Sequence, residues 1–262
     1  MEPIITSPAN VRLKQLRRLK ERKGRKESGQ FLLEGRRLIQ EALRQGASIE
    51  AIYWSSDPQR RSLEALGMPL PQMIEVRKEL LDPLCATVNP QGILAQVHQP
   101  PGLTLKEAIE RPGLYLYLEE VQDPGNLGTI IRSAHAFGAA GILLSPKTAD
   151  PFQEKVLRAT MGSIFRVPLA LGVTSQDLAS LIDSGFSLYL SDLANAQAPS
   201  AQAPAPASIL CIGNEGKGVS DALRSLPHQS LRIPMPGGAE SLNAGIAASL
   251  FLYEWLGRVP SL

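Results

Sequence analysis

Three glycine- and asparagine-bearing segments hold most of the side chains whose types and spacing could do chemistry. The first, DPGNLGTIIR from Asp123 to Arg132, sets a Pro-Gly turn and the capping-type Asn126 before a helical pattern, with Arg132 between one and two turns in. A guanidinium just past a strand end is suited to hold a phosphate or a developing oxyanion. The second, GNEGKG from Gly213 to Gly218, has three glycines and lets its backbone come close to a flat ligand. In the third, IPMPGGAESLN from Ile233 to Asn243, Met235, Pro236, Gly237 and Gly238 make an apolar, flexible rim suited to adenine or another planar group. Ser241 can cap the helix that follows and leave Asn243 in its first turn. Each segment alone has a plainer alternative: an Asn cap with a surface Arg, a bare turn, and ordinary capping.

Other chemistries lose support on spacing. In GNEGKG, Lys217 precedes Gly218 rather than Ser or Thr, and no strand leads into G-x-G-x-x-G, so neither a Walker ATPase nor a dinucleotide fingerprint is present. His98, His135 and His228 have no carboxylate or Cys at ligand spacing, so no metal is expected. Cys85 and Cys211 stand far apart without C-x-x-C spacing and read as buried thiols, not as a disulfide or zinc pair. The absence of a nucleophile elbow and of paired carboxylates disfavours hydrolysis by triads or dyads.

The elements that must position these loops alternate between strand and helix. Up to about residue 98, a basic helix precedes FLLEG, RRLIQEALRQG, SIEAIYW and DPQRRSLEALG, a small α/β unit whose last strand is GILAQV. The proline-bearing HQPPGLTLKEAIERPG then reads as a linker, with domains at 1–104 and 105–262. From Leu114 the apolar strands LYLYLEE, GILLS, FSLYLS, SILCIG and SLRIP alternate with helical segments, the pattern of a mainly parallel sheet covered on both faces. Ligands in such sheets sit beyond the carboxyl ends of the strands, where the first two loops fall. Residues 194–207, ANAQAPSAQAPAPA, carry no charge and no large apolar group; they read as a mobile surface loop outside any core, with a lid as the alternative.

In this order, NLGTIIRSAHAFG, IGNEGKGVS and IPMPGGAESLNAGIAASLFLYEW resemble the three motifs of the SpoU/TrmH family of RNA ribose 2′-O-methyltransferases. FLLEGRRLIQEAL after a basic helix resembles the RNA substrate-binding domain that many members carry, an L30e-like α/β fold. The resemblance implies an α/β catalytic domain with a mostly parallel sheet and a deep trefoil knot, a bent S-adenosylmethionine as cofactor, and a homodimer with the site near the subunit interface. It implies cofactor contacts from Gly213, Ile233 and Leu242, largely through backbone. It also assigns Asn126, Arg132, Glu215, Ser241 and Asn243 to the catalytic and RNA-facing set. Where the family often reads S-L-N-V-S, this chain has Ser241-Leu-Asn-Ala-Gly245, so Gly245 is left out of the site. A neutral guanidine is costly to form, so Arg132 is expected to orient the hydroxyl or an adjacent phosphate and stabilise the developing alkoxide, with the proton acceptor left open.

Charge distribution supplies an RNA-facing surface. The 262 residues are 44% hydrophobic and 20% charged with a formal net charge of +2, ordinary for a globular chain. Between Arg12 and Arg37, however, eleven Lys or Arg face three Glu, a local +8. Arg12, Lys14, Arg17, Arg18, Arg22, Lys23, Arg25 and Lys26 are the candidate RNA contacts, with a solvated helix face as the alternative. The expected substrate is structured RNA, ribosomal in preference to transfer RNA because a separate front domain is present. A catalytically inactive RNA-binding protein of the same fold is the alternative, and a base-nitrogen methyltransferase is disfavoured because no acidic general base is evident. No secretory signal or apolar run of membrane length is seen, so a cytoplasmic protein without membrane contact is expected.

Overall fold

The chain's computed structural model describes residues 4–192, 197–201 and 203–257. It divides into two units, Met1–Pro101 with Phe152–Phe165, and Gly102–Pro151 with Arg166–Leu262. The chain thus leaves the second unit after Pro151, lends one segment to the first, and returns at Arg166.

In unit 1, leucines at a three-residue interval give α1 (Val11–Leu19) one buried face of Leu13, Leu16 and Leu19, leaving its basic residues outward. Then come α2 (Arg22–Ser28), β1 (Gln30–Glu34), α3 (Arg36–Arg44), β2 (Ile49–Trp54), α4 (Asp57–Glu64), β3 (Gln72–Glu75), α5 (Lys78–Leu81) and β4 (Ile93–His98). The sheet order is β1-β4-β2-β3, antiparallel except for the parallel pair β2 and β3. Tyr53, Ile74 and Leu94 bury one face of this sheet against the leucines of α1. Phe31, fully buried on β1, stacks on Phe152 at 5.1 Å and lies 6.3 Å from Phe165, both from the returning segment. Strand β3, QMIE, was not anticipated: it is short and follows a proline-rich stretch.

Unit 2 runs through α6 (Leu105–Glu110), β5 (Leu114–Leu118), α7 (Pro124–Phe137) and β6 (Gly141–Leu144). Helix α8 (Glu154–Thr160) lies in the segment that joins unit 1. Unit 2 resumes with β7 (Leu169–Leu171), α9 (Ser175–Asp183), β8 (Ser187–Ser191), β9 (Ser208–Ile212), α10 (Asp221–Arg224), β10 (Gln229–Leu231) and α11 (Ala244–Leu252). Its six strands are all parallel in the order β10-β8-β9-β5-β6-β7, the architecture expected from the alternating pattern. The central strands LYLYL and SILCI are buried at every position, as strands covered on both faces must be. Both cysteines are buried thiols, and burial pushes Cys85 up to about 12.

The Ala/Pro segment corrects an expectation. Residues 193–196 and 202 lie outside the described residues, but Gln197 bridges Leu231 and Pro199 is buried, its carbonyl accepting from the Trp255 indole Nε1 at 3.0 Å. The Tyr189 hydroxyl accepts from the Ala205 N–H at 3.2 Å, and its ring meets Trp255 edge-on at 4.9 Å. Small uncharged residues have nothing costly to desolvate, so they can fill the space beside two large rings without forming a core of their own.

On α8 the Glu154 carboxyl is raised by burial, with Glu34 adding to the shift, and its Oε1 is buried without a hydrogen-bond partner. An acid whose folded value is raised loses folded-state stability as pH climbs from its unfolded value through that raised value. Glu154→Gln is therefore expected to raise the melting temperature by about 2–4 °C near neutral pH and to change little below about pH 4. Thermal melts of both chains across that range test this; a gain of equal size at both ends would contradict it.

Candidate active site

Strand β5 ends at Leu118, and the loop beyond it leads into α7, whose cap is Asp123: its Oδ1 accepts from the Asn126 N–H at 2.9 Å, with Pro124 at the first helical position. Asn126 was expected to cap this helix but lies in its first turn, because Asp123 stands directly before the proline that starts it. Freed from capping, Asn126 is buried and spends its amide on two other loops. Its Nδ2 donates to Glu215 Oε1 at 3.0 Å and its Oδ1 accepts from Asn243 Nδ2 at 2.7 Å.

Glu215 also accepts from the backbone N–H groups of Gln122 and Asp123 at 3.2 and 3.1 Å. Burial alone would raise its carboxyl, but the hydrogen bonds from the Asn126 side chain and from backbone N–H groups outweigh this and hold it below the usual glutamate value. The same loop is folded by Asn214, whose Oδ1 accepts from the N–H groups of Gly216 and Lys217, both at 3.0 Å. Its Nδ2 reaches back to the Glu120 carbonyl at 2.8 Å. A Cβ on Gly213 would lie 2.4 Å from the Gly218 carbonyl carbon, so this turn closes only around glycine.

At the third loop the expected cap is corrected. Asn243, not Ser241, opens α11: its Oδ1 accepts from Gly245 N–H at 3.0 Å and Ile246 N–H at 3.2 Å. Both residues are capping types, and the one nearer the first buried turn, at Ala244 and Gly245, takes the position. At Gly245 a Cβ would approach the Thr129 side chain to 3.1 Å, a tight fit at this contact between α11 and α7. Small residues do bring α11 against α7, where Ser133 Oγ and Ser249 Oγ hydrogen-bond at 2.7 Å.

The three loops enclose a cavity of about 630 Å³, within the span usual for small-molecule sites. Asn126, Glu215, Ser241 and Asn243 line it, as do Gly213, Ile233 and Leu242. Arg132 does not; it is exposed on α7 and has no hydrogen-bond partner among the described residues. Among the further lining residues that escaped sequence reasoning are Asp192, the first residue beyond β8, and Arg224, the two paired Oδ2 to Nε at 2.8 Å. The rule that ligands sit past strand carboxyl ends was the available signal for Asp192. Among the described residues no group of three or more His, Cys, Asp or Glu could hold a metal.

The lining suits S-adenosylmethionine. Met235 and Leu231 offer apolar wall for a planar base, Gly213 lets backbone come close, and the Glu240 carboxylate offers a partner for an ammonium.

Of the candidate RNA contacts, Lys14, Arg17, Arg18, Arg22, Lys23 and Lys26 are exposed and Arg12 is half-buried, its Nη1 donating to Gln72 Oε1 at 2.8 Å. Arg25 is only 5% exposed: its Nη1 donates to the Leu19 and Lys20 carbonyls at 2.9 and 2.8 Å, closing the end of α1.

Residues 113–253 match the SpoU rRNA Methylase family, and residues 10–95 match the MRM3-like substrate binding domain. The 23S rRNA (guanosine(2553)-2'-O)-methyltransferase RlmP of Bacillus subtilis is 34% identical, with 97% of this chain and 99% of that protein covered. The AdoMet-bound rRNA methyltransferase from Sinorhizobium meliloti superposes with a TM-score of 0.83 at 32% identity, covering 96% of both chains. AviRb from Streptomyces viridochromogenes, in complex with AdoMet, gives a TM-score of 0.82 at 29% identity over 94% of this chain and 96% of that one.

Proposed function

Because the chain belongs to the SpoU rRNA Methylase family, we propose that it methylates a ribose 2′-hydroxyl in structured ribosomal RNA, with S-adenosylmethionine as donor. The observation that carries this reading is the chain of hydrogen bonds Asn243–Asn126–Glu215, which ties three loops distant in sequence around one cavity of suitable size. When bound, the cofactor supplies a sulfonium-activated methyl carbon for in-line attack. Gly213, Ile233 and Leu242 hold it, largely through backbone. Arg132 would bind the incoming ribose or its phosphate from outside the cavity and stabilise the developing alkoxide while the hydroxyl proton passes to a phosphate oxygen or water. Ser241, exposed on the cavity rim, faces the RNA side. The knotted passage of the C-terminal segment and a cytoplasmic location belong to the same reading.

The homodimer is part of this proposal. Ile246 and Leu250 are exposed one turn apart on α11 and Tyr253 is exposed directly after its end, an apolar stripe suited to a second copy. Helix α7, which carries Arg132, packs directly against α11, so a partner seated on the stripe would bring its own surface close to that guanidinium.

The deciding experiment incubates the protein with labelled S-adenosylmethionine and total RNA, then maps alkali-resistant linkages, since a methylated 2′-oxygen cannot attack its neighbouring phosphate. Label entering RNA without such gaps would mean base methylation and would end this reading. Lys14, Arg17, Arg18, Arg22, Lys23 and Lys26 form the proposed phosphate-binding face. With roughly 0.7–0.9 counterions released per phosphate, RNA affinity should fall at least tenfold from low to physiological salt while cofactor affinity holds. A flat salt response would remove the basic helices as an RNA anchor.

A further inference from the structure

We infer that unit 1 carries a second RNA site, apart from the basic helices: a cleft that takes one unpaired nucleotide, its phosphate held by arginines and its base by side-chain amides. The inference rests on RNA being the substrate, as proposed above. The cleft measures about 630 Å³ and is lined by Arg37, Arg44, Arg158, Gln40, Asn89 and Gln91. None of the exposed basic residues of α1 or α2 reaches it.

The charge balance of the cleft favours an anion. Its two carboxylates are already committed: Glu34 accepts from the N–H groups of Ala86 and Thr87 at 2.6 and 3.2 Å, and Glu41 accepts from Gln45 Nε2 at 2.7 Å. The guanidiniums are not. Arg37 is exposed with no partner among the described residues, and Arg44 has only a long, exposed contact to Glu41 at 4.0 Å. Arg158 has only the electrostatic influence of Glu154 one turn before it and no ion pair within 4.0 Å among the described residues, and its Nη1 is buried without a hydrogen bond. A phosphate among three such groups would form charge-assisted hydrogen bonds that the protein itself leaves unmade.

The rest of the wall distinguishes a nucleotide from a bare anion. Three amides offer both donors and acceptors to a base edge, although Gln91 Oε1 already accepts from the Arg36 N–H at 3.1 Å. Met161 supplies the apolar surface on which a base can lie: it is 53% exposed and lines the cleft. It sits in left-handed conformation at φ 50°, a place at the end of α8 where glycine or asparagine would be unstrained. A long apolar side chain held there at a conformational cost, half exposed at the cleft wall, has a use if a base covers it. A concave cleft excludes bases stacked within a duplex, so the ligand is an unpaired residue of a loop or bulge.

The test uses the full-length protein and single-stranded RNA substituted with thiouridine. Photocrosslinks are expected in the peptide bearing Arg37 or the one bearing Arg158 and Met161, and Arg37→Ala/Arg44→Ala should weaken binding roughly 10- to 100-fold. Met161→Ala should weaken single-stranded RNA more than duplex of equal length and charge. The double variant should bind S-adenosylmethionine as the parent does. Crosslinks confined to α1 and α2, or unchanged affinity in the double variant, would overturn the cleft. If the parent methylates ribose yet gives no cleft crosslinks, the inference fails and the proposed function stands; cleft crosslinks without methyl transfer to any RNA give the reverse.

Discussion

Arg132→Ala is expected to lower methyl transfer about 10²–10³-fold, the usual loss when one pre-positioned donor to a developing oxyanion is removed, while cofactor affinity stays unchanged. The separation follows from placement. Arg132 lies on the exposed face of α7 and lines none of the cavity, so removing it alters no wall the cofactor touches. A guanidinium presents a planar fork of N–H donors and no acceptor, which suits it to a hydroxyl becoming an alkoxide. Arg132→Lys keeps the charge but loses the planar fork, so it should restore only part of the rate. Single-turnover rates with equilibrium cofactor binding decide the matter. An unchanged rate removes Arg132 from the mechanism, and a weakened cofactor with an unchanged rate makes it a support of the cavity instead.

How far the sequence revealed the site depended on whether each feature was local. The glycines and asparagines of the three loops were legible because turn chemistry lies in a few adjacent residues, and strand-helix alternation placed the first two loops past strand ends. Which of two capping residues would act was harder. Asn243 beside Ala244 differs from Ser241 by which residue meets the first buried turn, and that depends on packing, whereas Asp123 is marked as the cap locally, by the proline that follows it. Arg25 reads like its basic neighbours; only the backward turn from α1 into α2 brings it over the Leu19 and Lys20 carbonyls.

The segment Phe152–Phe165 shows a deeper limit. Its Phe152, Val156, Leu157 and Ile164 are buried, and any hydrophobic core would accept them. Periodicity says that such residues are covered, not by what, so nothing local reveals that the segment leaves one unit to complete another. That crossing also places Arg158 and Met161 beside residues more than a hundred positions earlier, and so the cleft in unit 1 could not be read from spacing.

Glu215→Ala should raise the cofactor dissociation constant about tenfold or more, because its carboxylate collects three hydrogen bonds that fasten the second loop to the first. Asn126→Ala should have a comparable effect by a different route, cutting the side-chain link to Glu215 and the one to Asn243 together. If the chain acts as one unit, the double variant will be little worse than the poorer single variant, since the second substitution removes contacts the first has already lost. Simple additivity would mean that the two residues act on the cofactor separately. The pH dependence follows from the direction of the Glu215 shift. A carboxyl held below its ordinary value keeps its hydrogen bonds at and above that value and gives up their stabilisation as pH falls through the lowered one. Cofactor affinity should therefore be level through neutral pH and fall only in acid. A fall centred near pH ~6–7 would point to a titrating group other than this carboxylate.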